Sequence, residues 1–159
     1  MGELGPVEAA VTITAELCKR FEGFRSRPYL CPAGIPTIGY GATFYLHGTR
    51  VTLHDKPISQ EAAERLLRAQ VERVYLPAVL RLCPGLMRAD AGKVAAIIDF
   101  TFNLGESRLR TSTLRRVVND GDWAAVPAEL LKWVYAAGKV LRGLQLRRQA
   151  EAELVAPPR

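Results

Sequence analysis

Three residues in the first third of the chain have the types and spacing for bond-cleaving chemistry: Glu22, Cys31 and Thr37, with eight residues between the first pair and five between the second. A carboxyl, a second polar group and a hydroxyl, carried from a helix end into a glycine-rich turn, can flank a glycosidic bond and hold a water beside it. Such cleavage needs a proton for the leaving oxygen and a nucleophile at the anomeric carbon. Glu22 is the candidate acid. Thr37 can accept a hydrogen bond from water and donate its own proton elsewhere, which fixes the direction of attack. Cys31 is harder to place, because a free thiol with a pKa near about 8.5 is mostly protonated at neutral pH. Three roles stay open for it: a thiolate base, a nucleophile forming a transient covalent adduct, or a polar wall that helps Thr37 place the water. Activated water gives inversion at the anomeric carbon, and a covalent Cys31 intermediate gives retention.

The elements that must position these groups can be read from local pattern. A helix capped by Thr14, with Leu17, Phe21 and Cys18 on its apolar side, is expected to stop at Gly23. Glu22 then lies at a helix carboxy terminus, whose exposed carbonyls disfavour a nearby negative charge and suit an acid that keeps its proton. Arg20 and Arg25 act in the opposite direction. Residues 28–55 carry the strand and turn signals, Pro28, Pro32, Gly34 and Pro36 followed by ThrIleGlyTyrGly, and predict a small twisted antiparallel sheet with a turn near residues 47–49. Gly39 and Gly41 alternate with Ile38 and Tyr40, so one strand face lacks side chains and could let a sugar chain approach the backbone.

Ser59 predicts the start of a long helix with Ala63, Leu67, Val71, Val74 and Ala78 as its buried stripe, and Pro77 is expected to kink or end it. Further helices are expected over 90–103, 112–119, 123–135 and 141–154, with breaks at Asp120–Gly121 and Ala137–Gly138, and a frayed tail over 155–159. The fold class is α+β and mostly helical.

The segment 21–43, FEGFRSRPYLCPAGIPTIGYGAT, resembles the signature of the phage-type lysozymes or endolysins (glycoside hydrolase family 24): Glu, eight residues, Asp or Cys, five residues, Thr. Residues 93–105, KVAAIIDFTFNLG, and 111–155 resemble the family's second and third blocks, so the likeness covers most of residues 14–155. It implies a lysozyme-like fold: an active-site lobe with a small sheet over 14–58, a connecting helix over 59–83 and a helical lobe over 84–155. It implies hydrolysis of the β-1,4 bond between N-acetylmuramic acid and N-acetylglucosamine in peptidoglycan by Glu22, Cys31 and Thr37, with Gly39, Tyr40, Gly41, Phe102 and Asn103 binding the glycan. A phenylalanine such as Phe102 is more often core than contact. The chain departs from many relatives at Ala42, where they carry a histidine, and neither His47 nor His54 can be assumed to replace it. A lytic transglycosylase or a weakened peptidoglycan-binding module are the alternatives the same residues allow.

Composition narrows the remaining classes. With 48% hydrophobic and 24% charged residues the chain reads as one globular, monomeric domain, and its apolar runs are too short for a membrane span. Residues 1–14 lack a cationic start followed by an apolar core, so neither a secretory signal nor an anchor is expected. An endolysin of this kind is then expected to wait in the host cytoplasm for a separate holin. The three cysteines, Cys18, Cys31 and Cys83, lack zinc-type spacing, and no metal or other cofactor is expected. Beyond residue 104, ten basic side chains face six acidic ones, which predicts a positive surface suited to a polyanionic wall. Arg142, Arg147 and Arg148 could also serve nucleic acid, but no stacking aromatics or recognition motif accompany them, and no nucleic-acid partner is expected.

Overall fold

The computed structural model describes residues 5–157. The start of the segment read for a signal, residues 1–4, and the end of the tail, residues 158–159, lie outside the described residues.

Helix α1 spans Pro6–Glu22 and begins eight residues before the expected cap. Pro6 sits in its first turn, where its fixed φ suits the helix and its missing N–H costs nothing. Thr14 is therefore a buried mid-helix residue whose hydroxyl donates to the Ala10 carbonyl at 2.8 Å, not a cap. Gly23 ends the helix with φ 72°, as expected. The buried face of α1 runs through Val11, Ala15 and Cys18, and the same spacing of three and four carries on to Glu22, so the packing that seats the helix also turns Glu22 inward.

Strands β1 (Arg25–Leu30) and β2 (Pro36–Gly39) form an antiparallel pair with Tyr29 opposite Thr37, and isolated bridges Ile38–Ala42 and Phe44–Arg50 extend this small sheet region. Behind it runs α2 (Gln60–Gln70), capped by Ser59, whose hydroxyl accepts from the Ala62 amide at 3.1 Å.

Pro77 does not end the connecting helix, which continues to Leu82, but the regular α-helix is interrupted just ahead of it. A π-helical turn over Val71–Tyr75 precedes α3 (Leu76–Leu82), and its wider turn leaves the carbonyls ahead of the proline free of the usual ladder. The inserted turn also rotates the buried stripe: Val74, expected inside, is 56% exposed, while Leu76, Val79 and Leu82 are buried. A short 3₁₀ turn, Pro84–Arg88, leads to α4 (Ala91–Leu104), capped by Asp90 and buried from Val94 to Thr101.

Around this central helix lie α5 (Glu106–Arg110), α6 (Thr113–Asn119, capped by Ser112), α7 (Val126–Leu130) and α8 (Arg142–Val155). The helix expected over 123–135 shrinks to α7. Its last residue, Tyr135, instead opens a hairpin, β3 (Tyr135–Ala136) with β4 (Lys139–Val140), because Ala137 at φ 50° and Gly138 at φ 75° make a two-residue turn of the kind that matches strand twist. Val155 is buried at the end of α8 and does not fray. Among the described residues, no helix is long and apolar enough to cross a membrane. The fold is lysozyme-like α+β, mostly helical.

Candidate active site

Glu22 stands where α1, α4 and α8 meet the hairpin. Its side chain is 27% exposed, and its Oε1 accepts a 2.7 Å hydrogen bond from Arg147 Nη1. Arg147 is itself buried and grips Asp99 with two further bonds, Nε to Oδ2 and Nη2 to Oδ1, both 2.8 Å. This fork geometry is what a guanidinium offers a carboxylate. Burial opposes the Arg147 charge, yet Asp99 and Glu22 outweigh it and hold the guanidinium more firmly protonated than usual. Burial alone would likewise raise Asp99; the Arg147 hydrogen bonds and charge overcome it and hold the carboxyl below its ordinary range. Cys18, expected as a small buried thiol, is one, and its Sγ donates to Asp99 Oδ1 at 3.4 Å. Burial, and then the Asp99 charge, push its thiol far up, so it serves as a neutral donor.

Arg147 and Arg148 are two of the ten basic residues counted toward the expected positive surface. They are 3% and 0% exposed, so neither contributes to an exposed basic surface. Of the three arginines that raised nucleic acid as a partner, only Arg142 remains outside.

Oε2 of Glu22 faces Gly41. A Cβ built on Gly41, at φ 84°, would come within 3.5 Å of that oxygen, so glycine there keeps open space beside the carboxyl. Gly39 differs: a Cβ on it would meet Ala63 Cβ at 3.1 Å, so its missing side chain serves packing against α2. Tyr40 is also buried, with its ring 5.6 Å from Phe24 and its hydroxyl accepting from Gln60 Nε2 at 3.2 Å. The structure thus places Gly39 and Tyr40 behind the wall that Gly41 lines. Ala42 is buried with Ile38, Val51 and Leu66. His47 is exposed and stacks on Tyr45, and His54 is exposed, so neither takes the position of the absent histidine.

Cys31 and Thr37 come together across the β1–β2 turn. The Cys31 amide donates to the Ile35 carbonyl at 3.1 Å, and the Gly34 amide to the Cys31 carbonyl at 2.8 Å, which closes the turn. Side chains two apart on a strand share a face, and Tyr29 opposes Thr37 in register, so Tyr29, Cys31 and Thr37 point to one side. The Thr37 hydroxyl donates to the Ile35 carbonyl at 2.8 Å, which leaves its oxygen free to accept. The Ile35 backbone amide, with smaller help from the Ala33 amide and Thr37, holds the Cys31 thiol below its ordinary value. A hydroxyl has one proton, so Thr37 aids the sulfur only when it releases the carbonyl. Burial chiefly raises the Tyr29 phenol, the Arg25 charge opposes it, and the charges of Glu22 and Cys31 add to the rise.

On the far side, Phe21, Glu22, Asn103, Leu141, Arg142, Gly143, Leu144 and Arg147 line an open cleft of about 440 Å³. Asn103 Oδ1 is buried there without a hydrogen-bond partner, a state that costs free energy unless a ligand supplies a donor. Phe102 instead packs against the core, with its ring 5.0 Å from Tyr75. Beyond Tyr75 a second, apolar groove of about 550 Å³ opens between residues 43–48 and the connecting helix, walled by Phe44, Leu46, Gln70 and Val74. Among the described residues, no cluster of His, Cys, Asp or Glu could hold a metal.

Asp99, Arg147 and Tyr29 were not foreseen. An aspartate inside AlaAlaIleIleAspPheThrPhe was the available signal, since a charge in a fully apolar helix needs a partner.

A family model described as Phage lysozyme matches residues 19–151. The endolysin of Acyrthosiphon pisum secondary endosymbiont phage 1 is 38% identical over 142 residues, which span 87% of this chain and 91% of that protein. Among solved structures, the endolysin from Escherichia coli O157:H7 phage FAHEc1 superposes with a TM-score of 0.77 at 28% identity, covering 97% of this chain and 94% of its own. The muramidase domain of SpmX from Asticaccaulis excentricus does so with a TM-score of 0.72 at 30% identity, covering 91% and 95%.

Proposed function

The chain belongs to the phage lysozyme family, and from that premise we propose that Glu22 is the general acid of a single-displacement muramidase whose water is placed by Thr37 and activated by Cys31. As a phage lysozyme the protein is a glycosidase of the endolysin kind, cutting the β-1,4 bond between N-acetylmuramic acid and N-acetylglucosamine in peptidoglycan.

The observation that carries the assignment is the division of labour within one carboxyl. Oε1 is fixed by Arg147, while Oε2 is left facing the space that Gly41 keeps clear. Oε2 carries the proton to the leaving oxygen, and the carboxylate that results is met at once by the Arg147 guanidinium. A positioned acid of this kind contributes about 10²–10⁴-fold to rate. On the hairpin side a water donates to the Thr37 oxygen, and the Cys31 thiolate accepts its other proton as it attacks the anomeric carbon. Water attack on the face opposite the leaving group inverts the anomer. Asn103 Oδ1 accepts from an N-acetyl amide, which supplies the donor it lacks. The groove beside Phe44 and Tyr75 takes the continuing glycan.

Two finer points belong to the same proposal. The chain accumulates in the host cytoplasm and reaches the wall after a separate holin opens the membrane, and it works as a monomer. The assignment of Glu22 is checked with outer-membrane-permeabilised bacteria, by turbidity loss and release of reducing ends. Glu22→Gln is expected to fold normally and to lose at least about 10²-fold in rate. Equal activity in wild type and variant would overturn the assignment.

A further inference from the structure

Two carboxyl groups meet Arg147, and they do not share it equally. Asp99 takes two of its hydrogen bonds at 2.8 Å, Nε to Oδ2 and Nη2 to Oδ1, and Glu22 takes one, Nη1 to Oε1 at 2.7 Å. Nη2 also lies 3.8 Å from Cys18 Sγ, and that thiol donates to Asp99 Oδ1 at 3.4 Å. The edge of the guanidinium formed by Nε and Nη2 is therefore fixed against α4, and Nη1 is left to reach Glu22.

Burial separates the two carboxyls further. Asp99 is closed to solvent, whereas the Glu22 side chain is 27% exposed. A buried carboxylate must find its counter-charge inside the protein. Asp99 finds it in Arg147: burial opposes its ionisation, and the Arg147 hydrogen bonds and charge overcome burial. Glu22 is under no such constraint. Its neutral form still accepts from Nη1 on Oε1, which leaves the proton to Oε2, the oxygen that faces Gly41.

We propose that Asp99 is a positioning residue for the glycosidase reaction: as the counter-ion of Arg147 it frees Glu22 to keep its proton, and by gripping the Nε edge it aims Nη1 at Oε1. This rests on Glu22 being the acid. Without the Asp99 charge, the guanidinium turns to Glu22 for its counter-charge, and an ionised Glu22 has no proton to give. The groups facing this chain are Cys18 and Glu22 on α1, Arg147 with the hydrogen-bonded Arg148 and Glu151 on α8, Tyr29 on β1 and Tyr75 in the π-helical turn.

The test is Asp99→Asn, which keeps the shape of the side chain and removes its charge, assayed on purified sacculi across pH. The alkaline limb of its kcat profile is expected to move about one unit to lower pH, with KM within about threefold of wild type, so kcat on the falling side drops about tenfold. A limb left in place or moved to higher pH overturns the proposal, since a merely structural loss lowers kcat without moving the limb in this direction. The double variant Asp99→Asn/Arg147→Gln covers the case in which the single one fails to fold. With both charges gone, its limb is expected within about half a unit of wild type, and a larger displacement either way contradicts neutralisation of Arg147 by Asp99. Carbon-13 NMR of the side-chain carboxyls follows the same proton directly. The glutamate resonance missing from Glu22→Gln is expected to titrate at lower pH in Asp99→Asn than in the wild type, and an unmoved resonance contradicts the proposal. Because that shift is read whatever the activity of Glu22→Gln, failure of the Glu22 assignment remains distinguishable from failure of this one.

Discussion

On the hairpin side of the site, Cys31 and Thr37 are held by the backbone of one tight turn, and the groups that set the thiol's chemistry are amides and a hydroxyl within six residues of it. On the helical side, Glu22 is held by side chains 77 and 125 residues away in sequence, through a buried chain of ion pairs. The first arrangement is cheap to form, with Cys31 half-buried and Thr37 buried. The second carries a desolvation cost that only complete pairing offsets, so it is rigid when whole and fragile when cut. A site that needs one fixed acid and one replaceable water has reason to use both.

Cutting the buried chain is expected to have the largest effect. Arg147→Ala leaves Asp99 without its cation in a site closed to solvent, and should lower the unfolding free energy by about 3–5 kcal/mol in urea titrations. Activity should fall with it, even at temperatures where the variant is fully folded. If Arg147→Ala costs less than about 1 kcal/mol, the contrast between the two sides is wrong.

The hairpin side should respond in the opposite way, with chemistry changed and stability untouched. Cys31→Ala is expected to shift stability by less than about 0.5 kcal/mol while lowering kcat about tenfold or more. Cys31→Asp should keep or raise kcat if the position acts as base or charge, and abolish it if a thiol nucleophile is required. Iodoacetamide at neutral pH should label Cys31 first. The Ile35 amide favours its thiolate, whereas burial pushes Cys83 up to about 11 and Cys18 further still. Labelling of Cys18 or Cys83 ahead of Cys31 would mean that the buried side opens more readily than the account allows.

The same division decides what could be read from the sequence. The stop at Gly23, the cap at Ser59 and the helix starts near Asp90 and Ser112 rest on neighbours a few residues away, and local pattern finds them, as it finds the spacing of Glu22, Cys31 and Thr37. Thr14 misled because a hydroxyl ahead of an apolar run has the pattern of a cap, while the helix in fact starts at Pro6. Val74 misled because a π-helical turn leaves no local mark beyond the proline that follows it. The hairpin at residues 135–140 announced its turn through Ala137 and Gly138, but its strands are two residues long and too short for a periodic signal. The Glu22–Arg147–Asp99 chain was invisible to periodicity, since pairing across three helices is a property of the packed molecule. Its trace in the sequence was charge at positions where the 3.6-residue stripe calls for apolar side chains: Asp99 on α4, and Arg147, Arg148 and Glu151 on α8. Arg147 and Arg148 read as part of a basic surface until their burial was known.

The central claim is that an acid fixed by the buried chain works with a water placed by the hairpin, and the configuration of the first product tests it most directly. Proton NMR of a chemically uniform glycan strand, recorded before mutarotation sets in, should show the α-anomer of the newly released reducing end. The β-anomer, or an anhydro end in place of a reducing sugar, would contradict it.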